Sequence, residues 1–448
     1  MDKKTFLKAS ATIMSGIAIS KFISCKTAVH ESRTNWAGNL TYSTDNVYTP
    51  ASVADLQKTI KKCNKLRALG SKHSFNKVAD SRDNQLSTAR LNKIISLDKE
   101  KHTVTVEAGI KYGELCTYLD TNGYALHNLA SLPHISVAGA CATSTHGSGI
   151  RNGSLATAVS AIEFINAAGD IVSLSKEKDG DGFNGAVVGL GTIGIVTKVT
   201  LDLLPSFKMK QLVYMNMPMG ELEKNFETIM SGGYSVSLFT DWKNKNINQV
   251  WIKSKVEGNE PVAIAPEFHG AKAATKNMHP LEDLSAENCT EQMGVPGPWY
   301  ERMPHFRMGF TPSSGKELQS EYFISFENAY DGLIAIEKLN DKVSPHLFIT
   351  EIRTIAADQL WMSPFYKKTC VAFHFTWKQE WEEVQKLLPL IEEALAPYNP
   401  RPHWAKLFTL KPAVLQSRIA LLNDFKTMMA KYDPDSKFRN DFINDNLF

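Results

Sequence analysis

Three glycine-rich segments contain the first residues whose types and spacing suggest chemistry. One of them, residues 189–194, reads Gly-Leu-Gly-Thr-Ile-Gly and matches the G-x-G-x-x-G pattern of dinucleotide-binding proteins. That pattern requires a helix directly after the glycines, but residues 195–201 alternate like a strand. The sequence therefore argues against a Rossmann site. It predicts a close approach of the backbone to a ligand, or a plain turn between buried strands.

The second segment, residues 131–149, is rich in Ser, Thr and Gly and contains no Lys or Arg. Such a backbone can bind phosphate oxygens through a nest of amide groups, and an ordinary Ser/Gly-rich turn is the alternative. The third segment, residues 70–75, places His73 in a loop of small residues after a predicted strand. A single His in such a loop is either structural or reactive.

The pattern of predicted strands and helices that must position these segments changes near residue 205. Before it, short strands and helices alternate, and Ser52 and Asp55 have the spacing of a helix cap. This pattern predicts an α+β or α/β unit over residues 36–205. After it, strands are predicted at 321–326 and 371–377, and an amphipathic helix follows that Pro389 should kink or divide.

The overall composition excludes several classes of protein. With 43% hydrophobic and 22% charged residues, the chain of 448 residues is globular rather than disordered. The net charge of +3 arises in residues 1–25, which contain four Lys and one Asp, so no basic surface for nucleic acid is indicated. No segment is long and apolar enough for a transmembrane helix. The five cysteines after Cys25 are spread without a Cys-x-x-Cys motif, which favours small buried residues over disulfides or a zinc site.

The N-terminus has the charged and short apolar regions of an export signal. Residues 3–8 resemble a twin-arginine signal with Lys in place of both Arg. Residues 22–25 resemble a lipoprotein cleavage box, which would make Cys25 a lipid attachment point and a membrane tether. We therefore expect an exported protein, periplasmic or lipid-anchored, and a short amphipathic segment in a cytoplasmic protein is the alternative.

Taken together, these segments resemble a known family of flavoproteins. Residues 67–75 are similar to the histidyl-flavin loop of the vanillyl-alcohol-oxidase (PCMH-type) FAD enzymes, residues 130–149 to their pyrophosphate-binding turn, and residues 188–197 to their third flavin-contact strand. Within that superfamily the chain most resembles the alditol oxidases, also called xylitol or sorbitol oxidases. Four further segments carry this resemblance, namely 317–323, 351–358, 374–377 and 401–406.

The resemblance implies a fold and a domain plan. The expected fold class is α+β, with a PCMH-type FAD-binding domain of two α+β subdomains over 36–205 and a substrate (cap) domain built on an antiparallel sheet over 206–425. The segment 426–448 is expected to return to the FAD domain. Residues 1–25 precede this plan as the export signal.

The resemblance also implies FAD, held covalently through the ring of His73 to the flavin 8α carbon. Ser131 and Leu132 stand where some relatives have a second cysteinyl link, so one link is expected. Ala130 lies where a small residue is associated with access of oxygen, which favours an oxidase. The residues expected to bind FAD are Gly70, Ser71, His73, Ser74, Ala130, Ser136, Val137, Gly139, Thr143, Thr145, His146, Gly147, Gly191, Gly194, Ile195 and Val196. No metal is expected.

The same resemblance implies a polyol as substrate. The terminal alcohol would lose a hydride to flavin N5 and O2 would become hydrogen peroxide. The residues expected to bind or activate the polyol are Ser131, Gln319, Glu351, Arg353, His374, Thr376 and Lys406. Glu351 and Arg353 are two apart, so on a strand they share a face. Arg353 and Lys406 would stabilise negative charge on oxygen, and either His374 or Glu351 would accept the hydroxyl proton.

Other functions remain as alternatives at this point. Taken singly, Glu351–Arg353 is also compatible with a surface salt bridge, and Lys406 with a solvated helix charge. The pattern around Lys406 has Ala405 where Gly is common, which adds a methyl group next to the pocket. The alternatives for the whole chain are a sugar-1,4-lactone oxidase or dehydrogenase (D-arabinono-1,4-lactone oxidase type) and a non-catalytic binding lipoprotein. A monomer is expected, and an exported enzyme could use an electron acceptor other than oxygen.

Overall fold

The chain is described here from a computed structural model, which covers residues 33–260, 263–307, 309 and 316–448. The predicted export signal over residues 1–25, with Cys25, lies outside the described residues. No helix of the described part is long and apolar enough to cross a membrane. The five cysteines Cys63, Cys116, Cys141, Cys289 and Cys370 are buried and free, as the spacing predicts.

The N-terminal half alternates short strands and helices. Its strands are β1 (Val47–Tyr48), β2 (Arg67–Leu69), β3 (Gln85–Ser87), β4 (Ile94–Asp98), β5 (Thr103–Glu107), β6 (Tyr124–Ala125), β7 (Val159–Ile165), β8 (Ile171–Ser175), β9 (Ile195–Asp202) and β10 (Leu204–Pro205). Its helices are α1 (Val53–Lys62), α2 (Tyr112–Thr121), α3 (Val137–Ala142) and α4 (Lys176–Val187), the last interrupted at Gly180. Ser52 caps α1 by accepting from the Asp55 backbone N–H, as predicted.

These strands form two main sheets, one for each α+β subdomain. The first is parallel, in the order β1-β3-β2, and the second is antiparallel, in the order β4-β5-β9-β7-β8. The turn at residues 189–194 leads into β9, which confirms that a strand follows the glycines and that the Rossmann pattern does not apply.

The C-terminal half is built on one large sheet. Its strands are β11 (Lys208–Pro218), β12 (Ser235–Thr240), β13 (Asn246–Val256), β14 (Glu267–Phe268), β15 (Ala271–Ala273), β16 (Gly297–Pro298), β17 (Glu317–Ser325), β18 (Leu347–Ile355), β19 (Cys370–Lys378) and β20 (Arg401–Pro402). Its helices are α5 (Glu221–Met230), α6 (Ala329–Glu337), α7 (Asn340–Val343), α8 (Trp381–Leu395), α9 (Pro412–Ser417), α10 (Leu422–Tyr432) and α11 (Asp441–Leu447). Nine of the ten strands follow the order β14-β15-β11-β13-β12-β18-β19-β17-β20, all antiparallel, with β16 paired to β11.

Helix α8 corrects the expectation that Pro389 divides it. The helix runs without a break through Pro389. Pro389 and Gln385, whose carbonyl loses its usual donor, both lie on the exposed face, where water can satisfy that carbonyl. The opposite face buries Val384, Leu388 and Ile391 against the large sheet, and this packing outweighs the local defect.

The end of the chain packs onto the N-terminal half. Phe425 of α10 and Ile443 of α11 belong to the hydrophobic core that contains helices α2, α3 and α4 of the N-terminal half. Leu415 and Leu422, which precede residue 426, already belong to it. The backbone N–H of Leu66 donates to the carbonyl of Lys437 at 2.9 Å.

A buried arginine joins three segments near the start of β2. The Arg67 side chain donates to the carbonyls of Val78 (2.8 Å), Leu190 (2.5 Å), Gly191 (3.0 Å) and Phe438 (2.8 Å). It therefore holds the 189–194 turn and the end of the chain against the loop that follows β2.

We expect Arg67→Met to lower the thermal stability of the protein. Each buried carbonyl left without a donor costs about 1–3 kcal/mol. The carbonyls of Leu190, Gly191 and Phe438 lose the Arg67 donor, whereas that of Val78 keeps Asn440 Nδ2 at 3.3 Å. A Tm measured by differential scanning fluorimetry on the purified protein checks this.

Arg82→Met is the matched control. Arg82 pairs with Asp441 at 2.7 Å, but their side chains are 79% and 54% exposed, and an exposed pair contributes about 0–1 kcal/mol. An Arg67→Met variant no less stable than Arg82→Met would contradict the role assigned to Arg67.

Candidate active site

A cavity of about 800 Å³ lies where the three glycine-rich segments meet one face of the large sheet. Its wall includes residues from β2 and the loop after it, from the 130–146 segment and from the 189–196 turn. The opposite wall comes from β17, β18 and β19 and from the 403–406 segment. This volume is within the range of sites for large ligands.

Most of the residues predicted from the sequence line this one cavity. From the set expected at the cofactor these are Gly70, Ser71, His73, Ser74, Ala130, Gly139, Thr143, Thr145, His146, Gly191, Gly194, Ile195 and Val196. From the set expected at the substrate these are Ser131, Gln319, Glu351, Arg353, His374, Thr376 and Lys406. Two stretches of chain more than a hundred residues apart are thus brought together.

Ser136, Val137 and Gly147 do not line the cavity and lie behind its wall. The Ser136 hydroxyl is 2.8 Å from where a Cβ on Gly70 or on Gly139 would stand, so it packs against the back of both glycines. Val137 is fully buried in the core. A Cβ on Gly147 would stand 2.2 Å from Asn128 Oδ1, so the chain needs glycine there for packing.

The 189–194 turn uses its glycines as the sequence predicts. Leu190 and Gly191 both have left-handed backbone angles, with φ of 50° and 68°. Gly194 has φ of 154°, and a Cβ on it would stand 2.5 Å from the Ile165 carbonyl oxygen. The turn therefore favours glycine at position 191 because of its left-handed backbone angle, and at position 194 because a side chain would collide with the Ile165 carbonyl.

His73 is a neutral imidazole in the cavity wall. Its ring stacks on Trp36 with the centroids 4.5 Å apart, and the ring of His134 lies 6.0 Å away. Burial, with a smaller effect of His134, lowers the pKa of His73 to about 3, although a hydrogen bond to the Ser71 backbone opposes this. Within the described residues its Nε2 atom is buried and has no hydrogen-bond partner.

The large sheet places five side chains of the cavity wall in register. Glu351 of β18 pairs with His374 of β19, which pairs with Glu321 of β17. One step along, Gln319 pairs with Thr376. Because alternate residues of a strand share a face, this register aligns all of them on the cavity side.

Glu321 is the centre of the polar network. Its side chain has no exposed surface, and it accepts from Arg353 Nη2 at 2.7 Å and from Lys406 Nζ at 2.6 Å. His146 Nε2 lies 3.3 Å from the same carboxylate. Burial alone would raise the pKa of Glu321, but Lys406, His146 and Arg353 outweigh it and hold the pKa well below its usual range.

Lys406 and His374 are joined by a short hydrogen bond. Lys406 Nζ donates to His374 Nδ1 at 2.6 Å, and His374 Nε2 lies 3.2 Å from Thr376 Oγ1. Burial and the charge of Lys406 lower the pKa of His374 to about 4. An ammonium group only donates, so the neutral ring accepts at Nδ1 and carries its proton on Nε2. Lys406 makes these contacts with the Ala405 methyl present.

Glu351 and Arg353 are buried, which excludes the surface salt bridge considered from the sequence. Glu351 Oε1 lies 2.7 Å from His305 Nε2, and Glu351 Oε2 lies 3.6 Å from Arg353 Nε. Burial raises the pKa of Glu351, but Arg353 and His305 outweigh it, and the pKa lies well below its usual range. Glu351 is therefore a carboxylate anion at neutral pH and a weak base.

The sequence analysis missed several residues of the cavity. Glu317 and Glu321 alternate with Gln319 on β17, but the predicted strand began at residue 321, whereas β17 begins at Glu317. Gln319 Nε2 donates to Glu317 Oε1 at 2.5 Å. Trp36 and His305 also line the cavity, but they come from distant segments and had no local signal. His403 lies in the 401–406 segment and was given no role. Lys253 lies behind the cavity wall, against His305.

One group of described residues also has a geometry that could hold a metal ion, formed by His146, Glu321 and His403. Both oxygens of Glu321 already accept hydrogen bonds from Arg353 and Lys406. The cationic side chains therefore compensate this carboxylate within the protein.

Comparison with protein families gives matches in both halves of the chain. Residues 44–175 match the FAD binding domain family, and residues 311–446 match the D-arabinono-1,4-lactone oxidase family. The first match spans the loop of His73 and the 131–149 segment. The second spans all three sheet strands that line the cavity.

Individual proteins are similar over nearly the whole chain. An alditol oxidase from a Streptomyces species is 43% identical over 418 residues, which is 92% of this chain and 98% of that protein. An L-gulono-1,4-lactone dehydrogenase from Mycobacterium tuberculosis is 26% identical over 91% of this chain and 97% of its own length. Among solved structures, a cholesterol oxidase from B. sterolicum superposes with a TM-score of 0.75 at 14% identity, covering 93% of this chain and 96% of that one.

These comparisons confirm the fold and the cofactor class. The chain has a PCMH-type FAD-binding fold with a second region built on an antiparallel sheet. It is an FAD-dependent oxidoreductase.

We expect Glu321→Gln to destabilise the protein at neutral pH. The variant leaves Arg353 and Lys406 buried without their anion, and breaking such a buried pair costs about 3–5 kcal/mol. Because the folded pKa of Glu321 is depressed, its contribution is present above the unfolded pKa of about 4.3 and is lost as the pH falls towards the folded pKa. The Tm difference from wild type should therefore be full above about pH 5 and narrow in more acid buffers.

Glu383→Gln is the matched control for this series. Glu383 pairs with Lys386 on the exposed face of α8 at 2.9 Å, and we expect its loss to leave the Tm nearly unchanged at each pH. A Glu321→Gln variant with the same Tm as Glu383→Gln at neutral pH would rule out the central role of Glu321.

Proposed function

Because the chain belongs to the alditol oxidase family, we propose that it oxidises the terminal primary alcohol of a polyol such as xylitol or sorbitol. The observation that carries this proposal is the polar wall of the cavity, where cationic, anionic and hydroxyl side chains converge. A polyol presents one hydroxyl on each carbon, and each hydroxyl needs a hydrogen-bond partner once water is removed. Arg353 and Lys406 supply donors, Glu351 supplies an acceptor, and Gln319, Thr376 and Ser131 supply both.

The residues of the cavity fit FAD. The 189–194 turn and Gly70 bring backbone to the cavity without side chains, the 131–149 segment supplies amide and hydroxyl groups, and His73 has an unpartnered buried nitrogen. When bound, FAD supplies the hydride acceptor for alcohol oxidation, with O2 as the proposed final electron acceptor and hydrogen peroxide as a product. Ala130 lines the cavity, and its small side chain is consistent with access of oxygen.

Arg353 and Lys406 stabilise the substrate oxygen as it loses its proton. Both side chains are cationic, both are fixed by Glu321, and fixed cations in a buried site stabilise developing negative charge strongly. Burial lowers the pKa of Lys406, and Glu321 opposes this effect.

We propose that Glu351 Oε2 accepts the hydrogen bond from the substrate hydroxyl group and then takes its proton. His374 Nδ1 is already occupied by Lys406, and Glu351 Oε1 is occupied by His305. The depressed pKa of Glu351 makes it a hydrogen-bond acceptor that orients the alcohol rather than a strong base. The cations then make the alcohol more acidic, so a strong base is not required.

Oxidation of a sugar-1,4-lactone is the second candidate function. It is favoured by the family match over residues 311–446 and by the M. tuberculosis relative. A lactone ring offers fewer hydroxyl donors than an open polyol and is wider. The two substrate classes therefore need different numbers and positions of hydrogen-bond partners in the same polar wall.

We expect xylitol and sorbitol to be turned over with a kcat/KM at least about tenfold above that of L-gulono-1,4-lactone, because a site that pairs each hydroxyl rejects analogues lacking some of them. Peroxide release in air, followed with a coupled peroxidase, measures kcat/KM for the polyols and for the lactone.

Lys406→Met should lower kcat/KM for the polyols about 100-fold, since one fixed donor to the developing charge is lost. If Lys406→Met oxidises both the polyols and the lactone as fast as the wild type does, the assigned role of Lys406 is contradicted. If the wild type has a higher kcat/KM for the lactone than for the polyols, lactone oxidation replaces polyol oxidation as the proposed function.

We also propose that FAD is attached covalently through His73. The support is the neutral ring with a free buried nitrogen in the cavity wall and the similarity of residues 67–75 to the histidyl-flavin loop. Ser131 and Leu132 leave no cysteine for a second link.

We expect the wild-type protein to keep its yellow colour in the pellet after acid precipitation. His73→Ala should release all flavin to the supernatant, as absorption spectra of the two fractions would show. His134→Ala is the matched control, because His134 lies beside the same ring and should leave the pellet yellow. Yellow supernatant from the wild type would retain FAD but exclude the covalent bond.

Export through residues 1–25, a lipid tether at Cys25 and a monomeric state stay predictions from the sequence. Mass spectrometry of the mature N-terminus and size-exclusion chromatography with light scattering test them.

A further inference from the structure

Lys253 is a fully buried lysine that lies behind Glu351, on the side away from the cavity. It lies on β13 with a side chain 1% exposed. Its Nζ donates to the carbonyls of Met303 at 2.6 Å and Pro304 at 3.1 Å and contacts His305 Nδ1 at 3.1 Å. An ammonium group has three protons, so these three acceptors use all of them.

The contact with Glu351 determines which nitrogen of His305 carries the proton. The Glu351 carboxylate only accepts, so the neutral ring has its proton on Nε2, and Nδ1 accepts from Lys253 Nζ. Burial lowers the pKa of Lys253 to about 7, and Glu351 opposes this effect, but Nζ can donate in either protonation state. Nε2 then donates to Glu351 Oε1 at 2.7 Å. The opposite tautomer would place two lone pairs against each other at this distance. Burial, followed by the charge of Lys253, lowers the pKa of His305 to about 4, so the ring is neutral near pH 7.

We propose that Lys253 and His305 are positioning residues that hold Glu351 as an anion, with Oε1 occupied and Oε2 left for the substrate hydroxyl. This role rests on the proposed function, in which Glu351 orients the alcohol. Neither residue needs to touch the substrate for this. The hydrogen-bond chain from Lys253 through His305 fixes both the rotamer and the charge of Glu351 from outside the reacting centre.

Other charged groups also act on Glu351 and must be separated from this effect. Arg353 shares its strand, His374 faces it from β19, and Lys406 faces it from the 403–406 segment. Glu321 on β17 adds an anion that Arg353 and Lys406 already compensate. None of these residues is changed in the variants below, so a shift in the titration of Glu351 reports the loss of the Lys253–His305 chain.

The first measurement is the tautomer of His305 in the wild-type holoenzyme. Long-range proton–nitrogen correlation spectra of protein labelled with ¹⁵N-histidine distinguish a protonated from an unprotonated ring nitrogen, and His305→Gln identifies the signal. The expected result is a proton on Nε2 and none on Nδ1. This readout does not depend on the substrate, so it tests the hydrogen-bond chain even if polyols are not oxidised.

The second measurement is the pH profile of kcat/KM for Lys253→Met and His305→Leu. His305→Leu removes the donor to Glu351, and Lys253→Met removes the partner of His305 Nδ1 together with a cationic group near Glu351. In both variants the pKa of Glu351 therefore rises, and the acid limb of kcat/KM moves to a higher pH than in the wild type. We expect misplacement of Glu351 to lower kcat/KM about 100-fold at neutral pH, and the loss to grow towards pH 5. A merely structural role would lower the amount of folded enzyme without moving this limb.

Two further variants make the comparison specific. His305→Gln keeps an N–H that can reach Glu351, so it should recover most of the activity and return the acid limb towards its wild-type pH. Lys255→Met removes a lysine from the same strand whose Nζ lies instead over the ring of Phe207, 3.9 Å from its centroid, and it should behave as wild type.

The outcomes separate this inference from the proposed function. A proton on Nδ1 of His305, or a Lys253→Met profile identical to that of Lys255→Met, would overturn the positioning role. If the tautomer and the acid limb are as expected but the substrate is a lactone rather than a polyol, the positioning role is supported and the substrate assignment is overturned. If Lys253→Met and His305→Leu fail to fold, the wild-type tautomer, assigned with the conservative variant His305→Gln, still decides the inference.

Discussion

The carboxylate of Glu321 allows two cations to be buried in one cavity. Arg353 and Lys406 would repel each other and lose their hydration if they were placed there alone, and the desolvation of a single buried charge already costs several kcal/mol. Glu321 accepts from both at 2.6–2.7 Å and balances one of the two positive charges. The buried Glu351 carboxylate, whose Oε2 lies 3.6 Å from Arg353 Nε, supplies the second negative charge. The cavity therefore holds two fixed cationic side chains, which gives it the electrostatic character of an oxyanion site.

The large sheet turns this interaction into a defined geometry. Neighbouring strands lie about 4.8 Å apart, and the register of β17, β19 and β18 lines up Glu321, His374 and Glu351 across it. A rigid sheet positions side chains more accurately than a loop does. The 189–194 turn on the opposite wall depends instead on Arg67, whose side chain joins it to the end of the chain.

Local patterns were sufficient to predict much of this arrangement. The alternation of Glu351 and Arg353, the cap at Ser52 and the strand after the 189–194 turn all depend on near neighbours in the sequence, and the structure confirms each. The start of β17 was missed because both faces of that strand are covered. Leu318 and Tyr322 face an apolar core while Glu317 and Gln319 face the cavity, so the usual contrast between a buried apolar and an exposed polar face is absent. Lys253 and His305 could not be found, since their roles exist only through contacts made across the fold.

The packing of the chain's end has a consequence for the order of events during synthesis. Arg67, which precedes the loop of His73, donates to the carbonyl of Phe438, and the backbone N–H of Leu66 donates to the carbonyl of Lys437. Asn440 also donates to the carbonyls of Lys77 and Asp80, just after that loop. These contacts around residues 66–80 form only after residues 437–440 have been synthesised. The two parts of the chain are separated by more than 350 residues, so this part of the FAD-binding fold is completed by a contact of very high sequence separation.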